Sequence, residues 1–208
     1  MGLLFPIDLP AVAADGASGD EWYTPRFILE WIGEIALDPC YSPRSLVQAR
    51  AVLDLRRGND GLLDAWAPVG SGVIFANPPF SNTSGWLRAC RYWARELGRV
   101  VVCLVPAFPG DNPWHVEVWP EVDGVRLTAW IAGRVDFVNP DGRVAEKGRG
   151  HGLLLFGPQR ACIDVAAGIA RRALGHAQAP VWTRRVDVIA LAAADVLALA
   201  RELAETSP

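Results

Sequence analysis

The sequence has almost no lysine, no long apolar run and no excess of positive charge. Of its 20 basic residues only Lys147 is a lysine, and the formal net charge is −3. An acidic chain can still bind phosphates through a local stripe of arginines, so this charge excludes only a uniformly basic surface. No apolar run approaches the roughly 20 residues that span a bilayer. Residues 1–10 lack a basic start and contain two prolines, so we expect no signal peptide and a cytoplasmic protein.

Paired cysteine motifs and a catalytic histidine pattern are also missing. The chain has four cysteines and three histidines, which are Cys40, Cys90, Cys103, Cys162, His115, His151 and His176. No two cysteines have CxxC spacing, and no histidine lies at zinc-ligand spacing from them. We therefore expect reduced, mostly buried thiols and no metal site. The histidines form no triad, so the sequence does not suggest a nucleophile activated by a histidine base.

Apolar runs alternate with helical patterns along most of the chain. With 208 residues, 51% of them hydrophobic, the chain can bury one substantial core. The patterns predict strands over residues 35–37, 51–53, 72–76, 100–105, 125–131, 134–138 and 152–156. They predict helices over residues 25–35, capped by Thr24 with Pro25 in the first turn, over 42–50, and from the residues after Phe80 to a stop at Gly98. This alternation indicates an α/β fold with an open sheet.

The domain organisation follows from a change of composition near residue 158. We expect a loose arm over residues 1–19, one domain over 20–158 and a helical extension over 159–208. The extension is predicted to hold two alanine-rich helices, 161–174 and 186–204, separated by a linker at Pro180. Their apolar faces could pack back on the sheet or form a homodimer with another copy. The sequence does not separate these two arrangements.

The sharpest motif is Asn77-Pro78-Pro79-Phe80, directly after the predicted strand 72–76. In open α/β sheets, ligands bind where the strands end. The Asn77 side-chain carbonyl and the Pro78 backbone carbonyl can accept the two hydrogens of a planar amine, while the prolines offer no competing N–H. Phe80 offers a face on which a base can stack, worth about 1–3 kcal/mol.

Such a set suits methylation of an aryl amine, whose lone pair is delocalised into the ring. Two fixed acceptors favour a pyramidal nitrogen with its lone pair aimed at an electrophilic methyl group, so positioning and dipoles supply the catalysis. The simpler alternative is that Asn-Pro merely ends the strand in a turn.

The order of motifs resembles that of the phage-type DNA N6-adenine methyltransferases, often called phage Dam methylases. The matching residues are 20–25, 37–40, 60–62 with Trp66, 77–81, Pro106, 114–115, 133–134 with Phe137, and 153–157. The resemblance implies a Rossmann-like methyltransferase sheet that uses S-adenosylmethionine to methylate adenine N6 in double-stranded DNA. It also implies phage or prophage origin and a flipped adenine held by residues 77–80.

The resemblance also implies which residues bind the cofactor. Trp22, Thr24 and Pro25 would wrap its methionine end, and the loop of Asp38, Pro39 and Cys40 would lie beside it. Asp60 would approach the adenosine portion. One departure from the broader superfamily is that residues 38–43 lack the usual glycine-rich loop.

Candidate DNA contacts are basic or lie near the catalytic motif. Arg88, Arg91, Arg95 and Arg99 recur at helical spacing and would form one stripe, although a solvated helix face gives the same pattern. A second basic segment holds Arg143, Lys147 and Arg149. The remaining candidates are Ser81, Trp114, His115 and Arg134.

Two alternatives to DNA adenine methylation stay open. The same motif can methylate an RNA base or a protein glutamine amide, since both present a planar amine. The other alternative is a DNA-binding relative without catalytic activity. The feature that suggests it is the missing glycine-rich loop.

Overall fold

The computed structural model describes residues 22–107, 125–138, 150–184 and 190–191. These hold the helices α1 (Arg26–Ile32), α2 (Thr83–Leu97) and α3 (Gln159–Ala173), and two 3-10 turns, Leu55–Arg57 and Phe80–Asn82. Their strands are β1 (Ile35–Leu37), β2 (Val73–Ala76), β3 (Val101–Pro106), β4 (Val125–Trp130), β5 (His151–Phe156), β6 (Val181–Arg184) and β7 (Ala190–Leu191). The predicted arm over residues 1–19 lies outside the described residues.

The described strands form one sheet in the order β1-β2-β3-β5-β4-β6-β7. The first three strands are parallel, as the alternating pattern predicts. From β3 onward each neighbouring pair is antiparallel, so the sheet is mixed. Pro106, the last residue of β3, pairs with His151, the first residue of β5. The ends of β1, β2, β3 and β4 and the start of β5 therefore lie together, at what we call the carboxyl end of the sheet.

Both faces of the sheet are covered, which explains why its strands are continuous apolar runs. In β2, Phe75 belongs to the core formed with α1 and α3, while Ile74 and Ala76 belong to the core formed with α2. The side chains of β3 and β5 divide in the same alternating way. Because consecutive residues of a strand point to opposite faces, one short apolar run supplies both cores.

Helix α2 ends at Gly98, as the sequence predicted. The Asn82 side chain accepts a hydrogen bond from the Gly85 N–H at 3.2 Å and caps the start of the helix. Gly98 ends it in the left-handed conformation, with φ 59°.

Helix α1 starts and ends inside the predicted range. Pro25 occupies the N-cap position with an extended ψ of 146°, so it precedes the helix and is not in the first turn, and Thr24 makes no cap. Gly33, with φ 82°, ends the helix early, because the chain must turn to enter β1 at Ile35. The predicted cap was therefore wrong by one residue.

Three other local predictions were wrong. Residues 42–50 form no helix, and residues 51–53 form no regular strand. Instead this stretch pairs with β1 through two isolated parallel bridges, Ile35 with Ala49 and Asp38 with Val52. Residues 134–138 make only the bridge from Val138 to Tyr23. In each case single tertiary pairings with a neighbouring segment replace the regular element that the local pattern favoured.

The described part of the C-terminal region continues the same sheet. Helix α3 confirms the helix predicted over residues 161–174, and it packs on α1 and on the sheet of its own chain. Arg172 donates from Nε to the Trp31 carbonyl at 2.6 Å and from Nη2 to the Ile32 carbonyl at 3.0 Å, which satisfies the end of α1. The prediction of a helix over 186–204 is wrong at residues 190–191, which form β7. The rest of that range lies outside the described residues.

None of the described helices is long and apolar enough to cross a membrane.

Candidate active site at the carboxyl end of the sheet

The Asn77-Pro78-Pro79-Phe80 motif forms the connection from β2 to α2. Asn77 follows the last residue of β2, and Pro79 precedes the 3-10 turn that begins at Phe80. Pro78 is buried, whereas Asn77 and Phe80 are partly exposed. The motif therefore presents polar and aromatic groups at the carboxyl end of the sheet, where the sequence placed them.

The side-chain amide of Asn77 has a fixed orientation. Its Nδ2 donates to the backbone carbonyl of Trp22 at 2.7 Å. Since a carbonyl can only accept, the NH₂ group must face Trp22 and the Oδ1 atom must face away. Within residues 22–107, 125–138 and 150–184, no group donates a hydrogen bond to Asn77 Oδ1 or to the Pro78 carbonyl. Two adjacent acceptors are thus left for a ligand.

The segment that precedes α1 is held at two points. Besides the bond between Trp22 and Asn77, the Tyr23 N–H donates to the Val138 carbonyl at 2.9 Å. Thr24 is only 1% exposed, and its buried Oγ1 has no hydrogen-bond partner among the described residues. An unsatisfied buried hydroxyl costs about 1–3 kcal/mol, so Thr24 is a position where a polar ligand would gain a hydrogen bond.

A buried carboxylate follows β1. Asp38 is 3% exposed, and its Oδ1 accepts a hydrogen bond from the Cys40 N–H at 2.9 Å. Burial raises the pKa of Asp38 from 3.8 to about 7, because the charged form loses water, and the Cys40 N–H opposes this only in part. Near neutral pH this carboxyl therefore exchanges between its neutral and ionised forms.

Two loops that are distant in sequence touch beside Asp38. A Cβ added to Gly61 would lie 2.0 Å from the Pro39 carbonyl oxygen and 2.7 Å from Trp86 Cη2. Trp66 fixes the loop by donating from Nε1 to the Gly61 carbonyl at 2.7 Å. Only glycine permits this approach, which brings Asp60 next to the loop after β1.

Gly61→Ala is expected to lower the free energy of unfolding by about 1–3 kcal/mol, because the added methyl group overlaps a backbone carbonyl that cannot move freely. Gly150→Ala, directly before β5, is the matched control, since its Cβ would meet only the Ala107 Cβ, at an ordinary contact distance of 3.7 Å. That control is expected to be neutral or slightly stabilising, because Gly150 is not in a left-handed conformation. Urea unfolding of both variants and the wild type makes the comparison, and equal midpoints for Gly61→Ala and wild type would contradict the packing argument.

Three aromatic side chains cluster behind the motif. The Phe80 ring centroid lies 5.7 Å from that of His151 and 6.3 Å from that of Phe137, and the latter two are 4.5 Å apart. Phe137 and His151 are buried, at 2% and 3% exposure. The partly exposed ring of Phe80 is therefore supported from the protein side.

Comparison with known protein families identifies this arrangement. Residues 13–174 match the family described as DNA N-6-adenine-methyltransferase (Dam). The chain belongs to this family. The match confirms the resemblance found in the sequence, and it runs from before Trp22 to the end of α3. Comparisons with curated proteins and with solved structures found no match.

The structure brings together most residues that the Dam resemblance assigned to the cofactor. Trp22 contacts Asn77, Asp38 bonds to Cys40, and Gly61 next to Asp60 packs on Pro39. Burial raises the pKa of the Cys40 thiol, nearby Asp38 raises it further, and the Asn77 N–H opposes the shift. The Cys40 thiol therefore lies near both Asp38 and the start of the Asn-Pro-Pro-Phe motif. The carboxylate of Asp60 itself accepts the Leu62 N–H at 2.8 Å, which stabilises its own loop.

The structure corrects one member of the predicted arginine stripe, Arg99. Arg99 lies beyond α2, and its guanidinium donates to the carbonyls of Gly70, at 2.9 Å, and Gly72, at 2.6 Å. These carbonyls precede β2, so Arg99 lies at the end of the sheet opposite the motif, and it was wrongly placed in the stripe. Arg95 is paired with Glu96 at 3.2 Å.

The other DNA candidates divide into described and undescribed residues. Ser81 and Arg88 are exposed close after Phe80, and Arg134 is exposed in the loop that follows β4. Trp114, His115, Arg143, Lys147 and Arg149 lie outside the described residues. No described group of three or more histidine, cysteine or acidic side chains is arranged to bind a metal ion, and all four cysteines are free thiols.

Sequence reasoning missed two residues at this end of the sheet. His151 begins β5, and a histidine directly before an apolar run was the available signal. Asp54 follows the segment that pairs with β1, is 3% exposed, and accepts hydrogen bonds from Arg56 Nε at 3.2 Å and Nη2 at 3.1 Å. The Arg56 side chain, with smaller help from Arg57, lowers the pKa of Asp54, although burial opposes the shift.

Proposed function

We propose that the chain transfers a methyl group from S-adenosylmethionine to the N6 amine of a flipped adenine in double-stranded DNA. The observation that carries this proposal is the pair of acceptors, Asn77 Oδ1 and the Pro78 carbonyl, without donors among the described residues and beside the partly exposed Phe80. An amine with two hydrogens and a flat ring complements this set.

The acceptors are organised before a base arrives. Asn77 cannot turn its amide over without losing the 2.7 Å bond to Trp22, so Oδ1 keeps its direction. Pro78 and Pro79 fix the backbone and offer no N–H that would compete for the oxygens. Each oxygen would accept one hydrogen of the amine, which leaves the lone pair for the new C–N bond. As that bond forms, the bond from the methyl carbon to sulfur would break, and its electron pair would leave with the sulfur as a neutral thioether. The proton that the nitrogen then releases lies on one of these hydrogen bonds and passes to solvent water, because neither oxygen is a strong base.

The residues around the loop after β1 fit the cofactor. S-adenosylmethionine, when bound, supplies an electrophilic methyl group on a positively charged sulfur. The orphaned Thr24 hydroxyl, with Trp22 and Pro25, would hold its methionine end, and Asp38, Pro39 and Cys40 would line its other side. Asp38 in its ionised form would favour a cation. Asp60 would act toward the adenosine portion through the loop that Gly61 fixes against Pro39.

The surrounding fold supports the same assignment. Parallel strands β1 to β3, helices on both faces and ligand groups at the carboxyl end are features of a Rossmann-like methyltransferase sheet. Ser81, Arg88 and Arg134 are exposed and would contact the DNA beside the flipped base, as would Trp114, His115 and Arg149. A homodimer through the C-terminal residues stays a prediction.

The proposal is tested by incubating the purified chain with unmethylated duplex DNA and S-adenosylmethionine, then analysing the nucleosides by mass spectrometry. We expect N6-methyladenine, and none when S-adenosylhomocysteine replaces the cofactor. Methyl transfer only to RNA or to protein glutamine would favour the alternative substrates. No methylation together with no heat of cofactor binding would favour a silent relative.

A further inference from the structure

We propose that His151 is a positioning residue that holds the Phe80 ring at the angle needed to stack on the target base. This inference rests on the proposed function and deepens it, because it names the group that fixes the aromatic face of the base pocket.

Phe80 needs support that its own backbone does not provide. It begins a three-residue 3-10 turn between β2 and α2, and its ring is partly exposed. On the protein side it makes a T-shaped contact with Phe137, at an interplanar angle of 89°, and a tilted contact with His151, at 40°. Aromatic pairs at such distances attract each other beyond the effect of their buried area, and this attraction favours one orientation of the Phe80 ring.

His151 is itself rigidly held. Its backbone pairs with Pro106 at the end of β3, and its carbonyl accepts the Ile131 N–H at 3.0 Å. Its ring is buried against Phe137, with centroids 4.5 Å apart. Because its backbone is fixed in the sheet, the His151 ring provides a fixed surface against which Phe80 packs. A mobile surface side chain in its place would leave Phe80 with only the more distant Phe137 ring to orient it.

The chain contains a matched control. His176 also packs on two aromatic rings, Phe27 and Trp31, each with centroids 5.1 Å away, but it is exposed and lies beside α1. Replacing either histidine by alanine removes the same atoms and a similar pair of ring contacts. Only the His151 contact reaches the catalytic motif.

The test compares three variants: His151→Ala, His151→Phe and His176→Ala. Each is measured by steady-state kinetics, by cofactor titration and by ¹⁹F NMR of protein labelled with 4-fluorophenylalanine. The signal that disappears in Phe80→Leu is the Phe80 resonance. His151→Ala is expected to lower kcat about three- to tenfold, the factor that one lost aromatic pair corresponds to. It should move the Phe80 resonance and leave the cofactor Kd within about twofold. His151→Phe restores a ring and should recover kcat to within about threefold. His176→Ala should leave kcat and the Phe80 signal unchanged.

Three outcomes would overturn the inference. A His151→Ala enzyme with wild-type kcat, or with an unmoved Phe80 signal, would do so while leaving the proposed function intact. A His151→Phe enzyme as impaired as His151→Ala would show that a ring nitrogen, and not ring packing, is required. A wild-type chain that methylates nothing would remove the proposed function and this inference together.

Discussion

Asn77→Ala is expected to lower kcat for adenine methylation by a factor of about 10²–10³ or more, with cofactor binding nearly unchanged. The variant loses Oδ1, one of the two acceptors for the amine, and removing one preorganised hydrogen-bonding group from an active site has an effect of this size. The Trp22–Pro25 segment keeps its second anchor, from Tyr23 N–H to the Val138 carbonyl at 2.9 Å. Transfer of a radiolabelled methyl group to DNA, with calorimetric titration of the cofactor, measures both quantities.

Two companion variants sharpen this prediction. Asn82→Ala removes a nearby asparagine whose side chain only caps α2, so it should reduce stability by about 1 kcal/mol and leave kcat within a few-fold. Asn77→Asp keeps an oxygen but has no N–H to donate to the Trp22 carbonyl, so it should be as inactive as Asn77→Ala. Substantial turnover by Asn77→Asp would refute the fixed amide, and comparable turnover by Asn77→Ala would refute the catalytic role.

Asp38→Asn is expected to stabilise the protein at pH 8 and to weaken cofactor binding about tenfold or more. The pKa of Asp38 is raised from 3.8 to about 7 by burial, so folding favours its neutral form. The contribution of Asp38 to the free energy of unfolding is fully present below pH 3.8, the pKa in the unfolded chain. It is lost as the pH rises through about 7, because the ionised carboxylate is then buried in the folded protein. Asparagine avoids that charge and can still accept the Cys40 N–H, so the gain at pH 8 is about 1–3 kcal/mol and vanishes near pH 4.

Thermal unfolding at several pH values tests the predicted gain in stability. Calorimetric titration with S-adenosylmethionine tests the predicted loss of cofactor affinity. In the wild type, cofactor affinity should rise between about pH 6 and 8 as Asp38 ionises. Asp164→Asn is the control, because among the described residues its exposed carboxylate pairs with Arg160 alone, at 3.2 Å within α3. It should change stability by less than about 0.5 kcal/mol and affinity not at all. Loss of stability at pH 8 in Asp38→Asn, or unchanged affinity, would show that this carboxylate has another role.

The parts predicted correctly from sequence are those that local patterns specify. Strands β2 and β3 are apolar runs between turn residues, and α2 combines one apolar face with a glycine stop at Gly98. The motif after β2 is contiguous, so its position at the carboxyl end of the sheet followed from the strand alone. The family itself could be found from the order and spacing of the motifs, because that combination is more specific than any single motif.

The errors occurred where a distant partner decides the conformation. The local pattern predicted a helix over residues 42–50 and a strand over 51–53, but this stretch forms only two isolated bridges with β1. Arg99 has the right spacing for the α2 stripe, but the left-handed Gly98 ends the helix and turns Arg99 toward the carbonyls of Gly70 and Gly72. Residues 190–191 form a strand because β6 offers them a free edge.

By itself, the sequence predicted the strands β1 to β3 and the helix α2, and it indicated which chemistry the Asn-Pro-Pro-Phe motif would suit. These depend on interactions between residues close in the chain. Only the tertiary structure decided that the Trp22 carbonyl orients Asn77, that Gly61 packs on Pro39, that burial shifts Asp38 and that His151 lies behind Phe80. Each of these joins residues from separate segments, and their distances and burial arise only when the two cores close around the sheet.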